Sequence, residues 1–188
     1  MRSLLVTTAR CLATGPLAAE PLVRAGTSYY YIEGASALVL TEQINQKGPL
    51  GVDGNRHPTR TKWDVQWKFR HNMHDGQCVM EDIYVAVGIT STIPRWRGAA
   101  AGAASLKARW QQLAAAVERN KRFHTDLAKR TGEQIESALQ NIGPRPDCGA
   151  LTEAANDAAS RILKKQQAAA DAHDRRTDYA RKDGASLI

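Results

Sequence analysis

Long apolar runs are missing from this chain, and so is any dense cluster of basic residues. No stretch approaches the roughly 20 consecutive apolar residues that a membrane-crossing helix needs, so the chain reads as not transmembrane. There is no Gly-x-Ser-x-Gly turn and no phosphate-cradling glycine loop, which removes the serine-hydrolase and nucleotide-binding patterns. No internal repeat is evident, so a solenoid is out. The formal charge is +7, but acids are interleaved with the bases and no nucleic-acid motif accompanies them. That excludes specific nucleic-acid recognition from the leading readings. It leaves a solvated basic surface with some affinity for anionic envelope or lipid surfaces.

What is present suits one modest domain. The 188 residues are 43% hydrophobic and 24% charged, the balance of a soluble globular protein. Residues 1–19 read as a secretory signal peptide. Arg2 precedes Leu4, Leu5 and Val6, and the small residues Ala18 and Ala19 come just before Glu20. Arg10 interrupts the apolar region, and the lack of acids before Glu20 also fits a transit peptide. Export predicts a periplasmic or secreted protein. Residues 20–176 then form a single domain, and residues 177–188 a polar tail.

Cysteine usage fits that compartment. Of Cys11, Cys78 and Cys148, the first leaves with the signal. The remaining two are the smallest disulfide set, and a Cys78–Cys148 bridge is expected. A metal site competes, though neither cysteine has a second at ligand spacing, and two buried free thiols are the other alternative.

Strand signals open the domain. Thr27 to Glu33 carries Tyr29, Tyr30, Tyr31 and Ile32. Ala35 to Gln46 has helical spacing, with Ser36 as a candidate N-cap. Gly48 to Pro58 reads as a loop. Thr61 to Phe69 alternates strictly, with Trp63, Val65, Trp67 and Phe69 on one face. Such alternation describes a half-buried strand of an antiparallel sheet. His71 to Gln77 reads as a polar turn, and Cys78 to Thr92 as the partner strand, ended by Pro94. Trp96, between Arg95 and Arg97, reads as the cover of a core edge, with stacking on a base or sugar as the alternative.

From Ser105 to Ile142 the apolar residues Leu106, Trp110, Leu113, Val117, Leu127, Ile135 and Leu139 recur at helical steps. Asn120 and His124 interrupt that stripe one turn apart. Polar side chains on a buried face must be bonded, occupied or costly. Leu151 to Ala172 forms a second, alanine-rich helix. The fold class expected is α+β: an antiparallel sheet packed against a long helix, plus a C-terminal helix.

Taken in order, several stretches carry a resemblance. They are Tyr29-Tyr30-Tyr31, the segment from Thr59 to Phe69, Cys78 and Cys148, Pro94-Arg95-Trp96-Arg97-Gly98, the long helix and the tail from Asp174. Together they resemble a bacterial family of unknown function described as predicted secreted zinc-dependent proteases. The resemblance implies a zincin-like long helix bearing His-Glu-x-x-His. In that motif two imidazoles share a zinc ion while the glutamate polarises its water. It also implies a third ligand, a histidine in the tail.

The motif is degenerate in this chain. Asn120 stands at the first ligand position, Lys121 at the general-base position, and only His124 keeps its residue type. Tyr179 stands at the tail position. An ammonium cannot serve as that carboxylate base, and an amide is a poor zinc ligand. The resemblance implies zinc as the family's cofactor, and for this copy none is expected. The reading is an exported, metallopeptidase-like protein that is catalytically inactive and acts in binding or structure, with a peptide or an envelope component as its partner. Convergence of Asn120, His124 and Tyr179, with His124 bonded to Tyr179 or Asn120, is the structural expectation. The alternative is an active zinc peptidase using His124 with His71, His74 or His173.

Overall fold

The computed structural model describes residues 20–188; the expected signal peptide and Cys11 lie outside the described residues. The chain runs through strand β1 (Leu22–Glu33), helix α1 (Ala37–Lys47), strands β2 (Arg60–His74) and β3 (Gln77–Arg97), and helices α2 (Ala104–Gln140) and α3 (Cys148–Thr177). These make an α+β architecture in which a three-stranded sheet, ordered β1-β3-β2, carries α2 on one face.

The expected all-antiparallel sheet needs correction. β2 and β3 form the antiparallel hairpin, but β1 runs parallel to β3, from Leu22 beside Ala86 to Glu33 beside Arg97. The physical reason is connectivity. The chain leaves β1 through α1 and a loop, crosses to the far edge for β2, and returns along the centre as β3. Strand direction follows from that path, and no residue alternation encodes it.

Pro94 does not end β3 either. β2 stops pairing at Arg60 beside Thr92, while β1 continues to Arg97. Pro94 therefore sits where β3 has a neighbour on one side only, and a missing N–H is tolerated there. β2 likewise outruns its expected end, reaching His74 through an irregularity between Lys68 and Arg70. The hairpin turns at Asp75 and Gly76, both with positive φ (49° and 76°). This is the backbone that Asp-Gly favours in a two-residue hairpin loop.

Burial is split between two clusters. One gathers Ile32, Leu40, Trp96, Leu106, Leu113 and Val117 with the tail residues Ala180, Ala185 and Leu187. Trp96 caps this cluster's edge, its indole N–H donating to Gly34 O at 3.1 Å. The other joins Val65, Val85, Val87 and Ile89 to Ile135 and Leu139 of α2 and Ala155 and Ala159 of α3. Trp63, Trp67 and Phe69 all pack against that second cluster, as strict alternation requires. Gly132 lets α2 lie close on β3, since a Cβ there would come within 2.5 Å of Val87. Asn120 and His124 fall on α2 between the last residue of the first cluster, Val117, and the first of the second, Ala128. The polar interruption is thus the seam between two apolar cores.

Ser36 caps α1, accepting from Val39 N, and Asp147 caps α3, accepting from Ala150 N. Cys78 and Cys148 lie at bonding distance with α-carbons 5.1 Å apart, tying the start of β3 to the start of α3. Among the described residues no helix is long and apolar enough to cross a membrane.

Candidate functional site

The seam on α2 is closed by the end of α3. Asn120 and His124 are buried, at 4% and 1% exposure. His124 Nε2 lies 2.8 Å from Asp174 Oδ1. With that nitrogen donating to the carboxylate, Nδ1 is the acceptor nitrogen, and it is buried without a protein partner. Asn120 Nδ2 is buried and unpartnered too. Neither the Tyr179 hydroxyl nor Asn120 bonds His124. The expectation of such a bond is corrected by Asp174, which lies in the helix one turn before the tail and reaches the imidazole first.

His173 is the neighbour on the other side. Its ring stacks on Phe123 at 3.6 Å and meets His124 edge-on at 5.6 Å. Arg176 approaches Nδ1 at 3.0 Å, while Nε2 is buried and unpartnered. Burial first, then the nearby His124 and Arg176, hold its pKa below the ordinary histidine value.

Tyr179 reaches the same region by a backbone reversal. Asp178, Tyr179 and Ala180 all have positive φ (48°, 49° and 74°). Left-handed backbone costs roughly 1–2 kcal/mol for each such residue. Local bonds hold it there: Thr177 Oγ1 accepts from Ala180 N, and Ala185 N donates to Ala180 O. The reversal lays the phenol ring on the buried imidazole of His57, 3.5 Å between centroids. The Tyr179 hydroxyl oxygen accepts from Val52 N at 3.3 Å, and burial raises its pKa.

His57 and its partners were not singled out by sequence. His57 Nε2 lies 2.9 Å from Asp53 Oδ1, and Arg181 lies 3.4 Å from Nδ1. The hydrogen bond from His57 leads the causes that bring the Asp53 pKa down to about 2. His57 is the buried wall behind Tyr179, with both ring nitrogens engaged. The only sequence hint was an Asp four residues before a His in a glycine-rich loop, a pattern too common to separate from solvent-exposed polarity.

Between these groups lies a cavity of about 250 Å³. His124, Asp174, Asp171, Tyr179, Arg60 and Lys62 are among its lining residues. The structure therefore brings His124 and Tyr179 to one cavity and sets Asn120 one turn behind His124 on α2. Lys121 is not part of the lining; its ammonium pairs with Glu118 Oε2 at 2.8 Å.

His71 and His74 are elsewhere. They lie three apart on β2, so they point to opposite faces of the strand. His74 approaches Glu81 at 3.4 Å. His71 lies beside Cys148, the first residue of α3, whereas His124 meets Asp174 near the last. Those ends are separated by roughly 40 Å of helix.

The donor set at the seam does not fit a zinc ion of the kind the resemblance implies. Asn120 offers an amide and Tyr179 a phenol bonded to backbone, so of the three positions only His124, through its unpartnered Nδ1, keeps an imidazole donor. Among the described residues, no three His, Cys, Asp or Glu donors converge there.

The sequence profile of the family described as "Bacterial protein of unknown function (DUF922)" matches residues 27–182, well over half of the chain. That span takes in the sheet apart from the first five residues of β1, both long helices and the Tyr179 reversal. No curated protein and no solved structure matches.

Proposed function

We propose that this chain, which belongs to that bacterial family of unknown function, is an exported metallopeptidase-like binding protein that does not cleave peptides. One observation carries the reading. The cavity at the centre of α2 keeps a polar, partly buried lining with an unpartnered imidazole nitrogen beneath it, yet offers no carboxylate at position 121. Its walls carry both signs of charge, from Arg60 and Lys62 on one side and Asp171 and Asp174 on the other. A zwitterionic or amide-rich ligand, such as a short peptide or a peptide-bearing envelope component, suits that pairing.

Catalysis by the zincin route lacks its parts. The route needs a metal-bound water and a base, and Lys121 is turned to Glu118. The unpartnered Nε2 of His173, beside His124, favours a second reading: an active zinc peptidase with non-standard ligands. An unfolded, dye-quenched protein substrate separates the two. The binding reading expects it to stay intact with or without added zinc. Zinc-dependent cleavage that His124→Ala abolishes would establish the peptidase instead. For binding, a mixture of short peptides should shift the His124 ring resonances, and Asp171→Ala should weaken the effect.

A further inference from the structure

The end of the hairpin farthest from the seam gathers a second set of chemical groups. His71 and Met73 lie two apart on β2 and so share one face of it. Met73 pairs in register with Cys78 on β3, and Cys148 comes to the same place from the first residue of α3. The donor atoms of His71, Cys78 and Cys148 all lie within 4.8 Å of one another. Independently, Met73 Sδ lies 3.7 Å from Cys148 Sγ. The Cys78 sulfur, the Met73 thioether and the His71 imidazole thus gather around Cys148 Sγ.

Backbone bonds hold the two cysteines together apart from the bridge between them. Cys78 N donates to Arg145 O at 2.7 Å, and Arg145 N donates to Cys78 O at 3.0 Å. This short ladder pins the loop before α3 to the start of β3. The Asp147 cap then fixes the first turn that carries Cys148. Opening the sulfur–sulfur bond leaves both side chains anchored to the same frame.

We propose that the dithiol form of this cluster binds one soft monovalent cation, Cu(I), with the disulfide as the alternative, metal-free state. Thiolate and thioether sulfur select Cu(I) among biological cations, and imidazole is compatible with it. A thioether contributes little to zinc, whose sites are built from Cys, His and carboxylate. Thiol–disulfide exchange with an external dithiol opens the site. One thiolate of that reductant attacks the half-buried Cys148 sulfur, the Cys78–Cys148 bond breaks, and Cys78 leaves as a thiolate. The second thiol of the reductant then displaces Cys148, so the reductant becomes a disulfide and its two protons pass to the two cysteines. Binding of Cu(I) afterwards releases protons from those thiols. Cys148 suits this chemistry because it stands in the first turn of α3, where the helix N-terminus favours thiolate.

The test reduces the protein, removes the reductant under argon and titrates Cu(I) against a chromogenic chelator, with far-UV circular dichroism following the fold. The reduced chain should take one Cu(I) and remain helical, and the disulfide form should bind far more weakly. Met73→Leu and His71→Ala each keep both thiols; each should weaken the reduced chain by about tenfold or more, since even outer partners of a metal ligand are worth that much. If both variants hold Cu(I) as tightly as the parent, two thiols alone are responsible and the site is refuted. A reduced chain that loses its helical signal, or that takes zinc in preference to Cu(I), would overturn it as well.

Discussion

His124 is held from one side only, by the Asp174 carboxylate 2.8 Å away. Asp174→Ala should therefore leave a buried imidazole with neither nitrogen partnered, destabilising the protein by about 1–3 kcal/mol in urea unfolding. No change in the midpoint would mean that water already serves the ring. His173 supplies a pH dependence. Its folded pKa lies below its unfolded one, so the unfolded chain binds more protons below about pH 6.5. This contribution is fully present above that pH and is lost as pH falls from there towards the lowered folded value. Melts at pH 7.5 and 5 should show the loss, and His173→Gln should shrink it. Of these residues, Asn120 and His124 are legible because they break an apolar stripe. Asp174 is not, because an acid near a helix end in a charged tail looks the same whether it is solvated or engaged.

The seam in α2 makes sense for the element as a whole. An apolar residue at position 120 would merge the two core clusters. Asn120→Leu, which has the same branched shape but is bulkier, removes a buried amide nitrogen without a partner and should stabilise by up to about 1 kcal/mol. A loss of that size would instead show that Asn120 is bonded through water. A gain would identify the seam as a place where stability is given up for binding. Element type is well encoded here. Three- and four-residue steps foretell α2, alternation foretells β2, and Ser36 foretells the start of α1. Element ends are less so. Asp75-Gly76 is a compact hairpin turn, but His71, Asn72 and His74 before it disguise the last paired rungs of β2.

For the whole molecule, the parallel pairing of β1 and the packing of the tail both depend on contacts far apart in sequence, which no local pattern reports. The sequence reads as a polar tail from Thr177; instead Ala180, Ala185 and Leu187 complete the first core cluster. Leu187, 2% exposed, makes the point measurable: Leu187→Ala should lower stability by about 2–5 kcal/mol and cooperatively loosen the Tyr179 reversal. The Cys78–Cys148 link closes a separation of 70 residues and should contribute about 4 kcal/mol on the chain-entropy account.

The reading proposed for that whole, a metallopeptidase-like protein that has lost its zinc site, is tested most directly by metal content. The disulfide-bonded protein and its variant with Asn120→His, Lys121→Glu and Tyr179→His should be purified side by side and assayed for zinc by elemental analysis. The account predicts no stoichiometric zinc in the parent and one zinc per chain in the triple variant. One zinc per chain in the parent, lost in His124→Ala, would contradict it.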